Sequence, residues 1–195
     1  MFEMELKAKI NGLEPYVFST LSKLAYTPAL DHVYNDTYWD NGGGELAASG
    51  RELRTRIPIT APNASATALF TFKTEPFDVA TDSRRELEVT VSDSATLAAI
   101  LSSIGFAVTV SFAKRCRTFS LVYAGFNVLA TIATVPESDD TFLEVEALVP
   151  TLAAADEAKR SLLSLLDALD VPTTSLTTVS YISIVQRAIP VSGTA

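Results

Sequence analysis

The segment Phe2-Glu3-Met4-Glu5-Leu6-Lys7-Ala8-Lys9 alternates strictly between apolar and charged side chains. A period of two marks a β-strand with one buried face. Phe2, Met4, Leu6 and Ala8 therefore share one face, and Glu3, Glu5, Lys7 and Lys9 the other. The pattern recurs along the chain. Residues 51–59 set Arg54 and Arg56 against Leu53 and Ile57. Residues 67–75 set Thr71 and Lys73 against Phe70 and Phe72. Residues 84–92 set Arg84, Glu86 and Glu88 against Leu87, Val89 and Val91. Residues 141–148 set Glu144 and Glu146 against Leu143 and Val145.

Residues 32–40 are aromatic and β-branched and read as a further strand, with Tyr38 and Trp39 on opposite faces. Residues 106–112 and 114–122 form one strand or a pair, followed by 126–134. In 114–122, Arg115 and Arg117 are placed on the charged face, with Cys116 between them on the apolar one. Helices are expected over 15–25, with Pro15 in the first turn, over 94–103, ended by Gly105, over 151–169, and over about 177–188. The tail after Pro190 is small and polar, and disorder is expected there. About eight strands in consecutive groups, with few short helices, predict an antiparallel α+β protein. Residues 1–190 read as a single domain and 191–195 as its tail.

Of 195 residues, 48% are hydrophobic and 19% charged, which predicts a sizeable core and excludes a disordered chain. Acidic residues outnumber basic ones 23 to 15, for a net charge of −8. That balance argues against a duplex nucleic-acid face. The single cysteine, Cys116, forms no intrachain disulfide and reads as a buried structural thiol. The N-terminus carries charges where a signal peptide needs an apolar core, and no run of 18 apolar residues occurs. A cytoplasmic protein without a membrane span is expected, and the sequons at Asn35 and Asn63 read as chance. His32 is the only histidine, so it has no second imidazole to work with. Gly42-Gly43-Gly44 lacks the Gly-Lys-Ser/Thr ending of a P-loop and reads as a hairpin turn. Glu137-Ser138-Asp139-Asp140 reads as a solvated loop.

The charged faces admit two readings. One is a sheet with a core side and a water side. The other is a strand set curled so that the charges line a lumen. Repeated Glu-x-Glu and Arg-x-Arg pairs favour the second, because like charges two apart on one face repel unless a counter-ligand sits between them. Glutamate pairs suit divalent cations, and arginine pairs suit phosphate oxygens.

The motifs that carry these charges resemble the CYTH superfamily of triphosphate tunnel metalloenzymes. Glu3-Met4-Glu5-Leu6-Lys7 is similar to its opening Glu-x-Glu-x-Lys. Asp36-Thr37-Tyr38-Trp39-Asp40, Leu53-Arg54-Thr55-Arg56, Phe72-Lys73 and Arg84-Arg85-Glu86-Leu87-Glu88 follow in the family's order. Lys114-Arg115-Cys116-Arg117-Thr118-Phe119, Phe142-Leu143-Glu144-Val145-Glu146 and Ser180-Tyr181 complete it. The resemblance spans residues 3 to about 185.

It implies a closed or nearly closed tunnel of eight antiparallel strands with helices packed outside. It implies Mg²⁺ or Mn²⁺ held by Glu3, Glu5, Glu144 and Glu146. It implies a nucleoside triphosphate or other polyphosphate held by Lys7, Arg54, Arg56, Lys73, Arg84, Lys114, Arg115 and Arg117. Lys7, Glu86 and Glu88 are implied in catalysis. Family activities are cyclisation of ATP to cyclic AMP with release of pyrophosphate, and hydrolysis of thiamine triphosphate or inorganic triphosphate. A phosphate-binding module without turnover, or a tunnel repurposed for another di- or triphosphate, is the alternative. Two positions depart from the pattern: 127–134 carries no carboxylate where cyclases of the family have an aspartate, and Ser183 replaces a glutamate.

Overall fold

The computed structural model describes residues 1–59 and 67–188. The tail expected beyond Pro190 and the Asn63 sequon lie outside these residues. The strands are β1 (Phe2–Lys9), β2 (Leu30–Asn41), β3 (Glu52–Pro58), β4 (Ala68–Asp78), β5 (Ser83–Val91), β6 (Phe106–Tyr123), β7 (Phe126–Thr134) and β8 (Phe142–Val149). They close into a barrel in the order β1-β5-β4-β3-β2-β6-β7-β8, and every pairing is antiparallel. Closure removes the sheet edges and gives every strand an inside and an outside. The helices are α1 (Glu14–Leu24), α2 (Glu45–Ala48), α3 (Ser94–Ser103), α4 (Ala155–Ala168) and α5 (Tyr181–Ala188). No described helix is long and apolar enough to cross a membrane.

The main core lies outside the barrel. Met4, Leu6 and Ala8 of β1, Leu143 and Val145 of β8, Val128 and Ala130 of β7, and Phe119 and Leu121 of β6 are buried there. They pack under Ala158, Leu162, Leu165 and Leu166 of α4 and under Val17 and Leu21 of α1. A second outer cluster joins Trp39, Leu53 and Leu101. The apolar face of β5 is only partly covered, since Leu87 and Val89 stay exposed.

Local chemistry sets several boundaries. Pro15 stands in the first turn of α1. The Asp93 carboxylate caps α3, accepting from the Thr96 amide at 2.9 Å and its hydroxyl at 2.7 Å. Gly105 follows α3 with φ +94°, a conformation that disfavours any side chain. Residues 106–123 form one long strand that pairs with both β2 and β7. Helix α2 has no counterpart in the sequence reading. Its Leu46 and Ala47 amides donate to the Asp40 carboxylate at 3.0 and 2.9 Å.

One end of the barrel is filled from within. Tyr38, Val110, Phe112, Cys116, Ala133 and Phe142 form an apolar cluster with Tyr181 and Val185 of α5. Ser180 caps α5 by accepting from the Ser183 amide at 3.1 Å, and the two hydroxyls lie 2.6 Å apart. Ser183, at the third helical position, thus takes part in the cap of α5.

Candidate functional site

A cavity of about 560 Å³ occupies the barrel interior. Glu3, Glu5 and Lys7 enter it from β1, Arg54 and Arg56 from β3, and Lys73 from β4. Glu86 and Glu88 enter from β5, Lys114 from β6, and Glu144 and Glu146 from β8. The charged strand faces converge on one lumen.

The carboxylates divide into two groups. One oxygen from each of Glu3, Glu5 and Glu146 lies within 4.8 Å of the others, close enough to share a metal ion. The Lys73 ammonium offsets part of the charge of this cluster, 2.9 Å from Glu3 and 3.8 Å from Glu5, and lies 3.2 Å from Glu86. Burial pushes the Glu3 and Glu5 carboxyls up even against Lys73. Burial and the facing Glu5 carboxylate raise Glu146 to about 7. Glu86 shows the opposite balance: burial acts against its charge, but Lys73 holds it down to about 2. Glu144 stands apart from the triad. It accepts from Lys114 at 2.7 and 2.9 Å, and against the cost of burial Lys114 holds it down to about 2.

The cations differ in how committed they are. Arg56 forms a bidentate pair with Asp36, both contacts at 2.7 Å, and stacks on Tyr34 with 4.8 Å to the ring centroid. Arg54 reaches Asp36 only at 4.0 Å, and its buried Nε has no hydrogen-bond partner among the described residues. Lys7 donates to the Val179 carbonyl at 2.6 Å and lies 4.9 Å from the Tyr181 ring centroid. Lys114 lies 4.3 Å from the same centroid. The Tyr181 hydroxyl is buried without a hydrogen-bond partner among the described residues, and burial with the nearby Glu144 carboxylate holds its pKa well up.

Three expected phosphate ligands lie elsewhere. Arg115 and Arg117 point outside the barrel and line a groove beside α1 with Phe18, Asp31 and Ile132. Arg117 is bound to Asp31 at 2.5 and 2.8 Å. The cause is strand parity. Arg115 and Arg117 share their face with Phe119 and Leu121, which belong to the outer core. The inward residues of β6 are Lys114 and Cys116, and the Cys116 thiol is buried with its pKa raised by burial. Arg84 is buried outside the cavity lining, where it pairs with Asp82, donates to the Gly50 carbonyl at 2.9 Å and lies 3.6 Å from Glu52.

The sequence reading assigned no site role to Asp36, Tyr34, Tyr181, Glu52 or Asp82. Asp36 and Tyr34 were recoverable, because they share the inward parity of Tyr38 on β2. On β7 the positions facing Glu146 and Glu144 are Leu129 and Thr131, so no carboxylate enters from that strand.

The barrel has solved counterparts. The PH1819 protein from Pyrococcus horikoshii is 22% identical with a TM-score of 0.77, the match covering 95% of this chain and 98% of that one. A Vibrio parahaemolyticus protein described as a candidate adenylate cyclase is 16% identical with a TM-score of 0.74, covering 95% and 98%. A Hippeastrum protein described as revealing a dominant triphosphatase activity is 15% identical with a TM-score of 0.65, covering 95% and 95%. These likenesses show the shared fold. No curated relative matches the chain in sequence. The CYTH domain family model matches residues 1–181, and with the closed barrel and its charged lumen the chain belongs to the CYTH domain family.

Proposed function

We propose that this protein binds a nucleoside triphosphate or other polyphosphate together with Mg²⁺ or Mn²⁺ in its lumen and transforms it there, in the cytoplasm. One observation carries the reading: eight carboxylates but only five cationic side chains line the cavity. A polyphosphate entering alone would meet a surplus of negative charge, so divalent ions must accompany it. The Glu3, Glu5 and Glu146 triad is the set of oxygen donors suited to that ion, and Glu144 joins it once Lys114 turns to phosphate.

Phosphoryl chemistry needs positioned charge more than a covalent nucleophile. The metal, when bound, neutralises charge on the phosphate oxygens. Arg54, Arg56, Lys73 and Lys114 then hold the phosphate chain, with Asp36 fixing the Arg56 fork. Lys7 stabilises charge developing on the departing oxygen. Glu86 anchors Lys73. Glu88 accepts from the Thr71 hydroxyl at 3.0 Å and orients the attacking hydroxyl or water. Attack by a ribose hydroxyl on the α-phosphorus gives cyclic AMP and pyrophosphate. Attack by water on the terminal phosphorus gives a triphosphatase.

Leu129 and Thr131, standing where a carboxylate would add a metal ligand, favour a second reading, binding without turnover. Incubation with ATP, inorganic triphosphate and thiamine triphosphate, with Mg²⁺ or Mn²⁺ and product identification, separates the three. Cyclic AMP with pyrophosphate marks a cyclase, and inorganic phosphate a triphosphatase. Tight binding with no product leaves the binding module.

A further inference from the structure

Three leucines line the lumen without contributing to any core, Leu69 on β4 and, together on neighbouring strands, Leu129 and Leu148. Leu129 on β7 lies opposite Glu146, and Leu148 on β8 lies opposite Glu3. Both line the cavity, yet neither belongs to any of the three hydrophobic clusters. They stay 36% and 53% exposed, with the lumen-lining Met1 beside them at 63%. Between this wall and the barrel end filled by Phe142, the inward positions of β1 and β8 hold charges. Here, on β7, on β8 and at the residue just before β1, the side chains are aliphatic.

This apolar wall borders the carboxylate triad directly. Leu129 faces Glu146 across one strand pair, and Leu148 follows Glu146 on the same face of β8, about 6.5–7 Å along the strand. A group esterified to a phosphate held at the triad would leave the charged region at these leucines. The wall offers no hydrogen-bonding side chain to read the edge of a nucleobase. The cavity, about 560 Å³, falls in the range of roughly 300–1,000 Å³ that accommodates an organic ligand.

We infer that the organic part of the ligand is a hydrocarbon chain, seated on Leu129, Leu148 and Met1 beside the Glu3, Glu5 and Glu146 triad. The inference rests on the polyphosphate reading above and names the class of substrate within it: an alkyl or isoprenoid phosphoanhydride. Covering the leucines removes apolar surface from water, which is favourable in proportion to the area covered.

The test uses four triphosphates with Mg²⁺, titrated into the whole protein by calorimetry: inorganic triphosphate, methyl triphosphate, n-octyl triphosphate and ATP. Octyl triphosphate should bind at least tenfold tighter than methyl triphosphate, and tighter than ATP. In a Leu129→Ser/Leu148→Ser variant the octyl-to-methyl ratio should fall to about two or below. Leu148→Ser alone, at the more exposed site, should lower the ratio in the same direction if the double variant does not fold. A ratio near one in the native protein overturns the inference, as does a ratio that survives the substitutions. ATP binding tighter than octyl triphosphate with the same leucine dependence would assign the wall to a nucleobase. Failure of inorganic triphosphate to bind would overturn the polyphosphate reading itself. Its binding with a flat octyl-to-methyl ratio would overturn the hydrocarbon assignment alone.

Discussion

Glu5 and Glu146 stand directly opposite one another across the β1–β8 pair, both facing the lumen. Like charges at such a position destabilise a sheet unless a proton or a cation relieves them. Lys73 relieves part of the repulsion through Glu5, and burial together with the remaining repulsion raises the pKa of Glu146.

A divalent cation should complete that neutralisation. Mg²⁺ or Mn²⁺ at saturating concentration should raise the melting temperature by several degrees, as any ligand of the folded state does. Glu5→Gln with Glu146→Gln should abolish the gain. Differential scanning calorimetry with and without metal measures it, and a full metal-induced rise in the double variant would remove these residues from the ligand set.

Stability in the presence of a chelator should fall as pH rises from about 5 to 8. Glu146 titrates near 7 in the folded protein and near 4.3 unfolded, so the folded state binds the extra proton in that window. Its contribution is complete below the unfolded value and lost as pH passes through the folded one. The share of Glu146 is on the order of 2 kcal/mol, roughly 5 °C in melting temperature for a chain of this size. Glu3 and Glu5, also raised, add slope of the same sign. Glu86 and Glu144, both near 2, act only in acid, where the stability they contribute is lost as pH falls from about 4.5 towards 2. Glu146→Gln should flatten the fall between pH 5 and 8; an unchanged slope refutes the assignment.

Arg54 and Arg117 should behave oppositely. Arg54→Ala removes a lumen guanidinium with an unpartnered Nε and should weaken inorganic triphosphate and ATP alike, about ten- to a hundredfold. Arg117 pairs with Asp31 on the outer surface with 46% of its side chain exposed, so Arg117→Ala should change neither affinity and cost less than about 1 kcal/mol of stability. Calorimetric titration of both ligands into both variants decides between the two faces of β3 and β6.

Asp36 should matter for both stability and binding. Its carboxylate is 1% exposed and carries the Arg56 fork. Asp36→Ala leaves two arginines without their counter-ion and should cost about 3–5 kcal/mol, read as a shift in the urea midpoint. Asp36→Glu, which keeps the charge, should recover part of the stability. If Asp36→Ala melts like the native protein, Arg56 is not held by it.

Closure into a tunnel was expected only from the resemblance to the CYTH superfamily; the strands and their faces were legible from the amino-acid order, because period-two alternation is a local property that a one-residue slip would invert. So was the shared charged face of Glu3, Glu5, Lys7, Arg54, Arg56, Lys73 and Glu146, each fixed by apolar neighbours on its own strand; that this face lines a lumen follows from the closed barrel. Strand β6 was harder. Lys114-Arg115-Cys116-Arg117 is charged on both faces, and its orientation follows from Phe119 and Leu121, whose burial depends on α1 and α4 packing from elsewhere in the chain. Only the tertiary structure decided which carboxylates meet. Glu146 joins Glu3 and Glu5, while Glu144 pairs with Lys114. The reason is register: cross-barrel distances depend on how strands far apart in sequence align, and on the shift between Tyr38 and Trp39, neither of which periodicity within a strand encodes. The filling of one barrel end by Tyr181 and Val185 of α5 is likewise a product of the closed fold, because the cavity it fills exists only once all eight strands have paired.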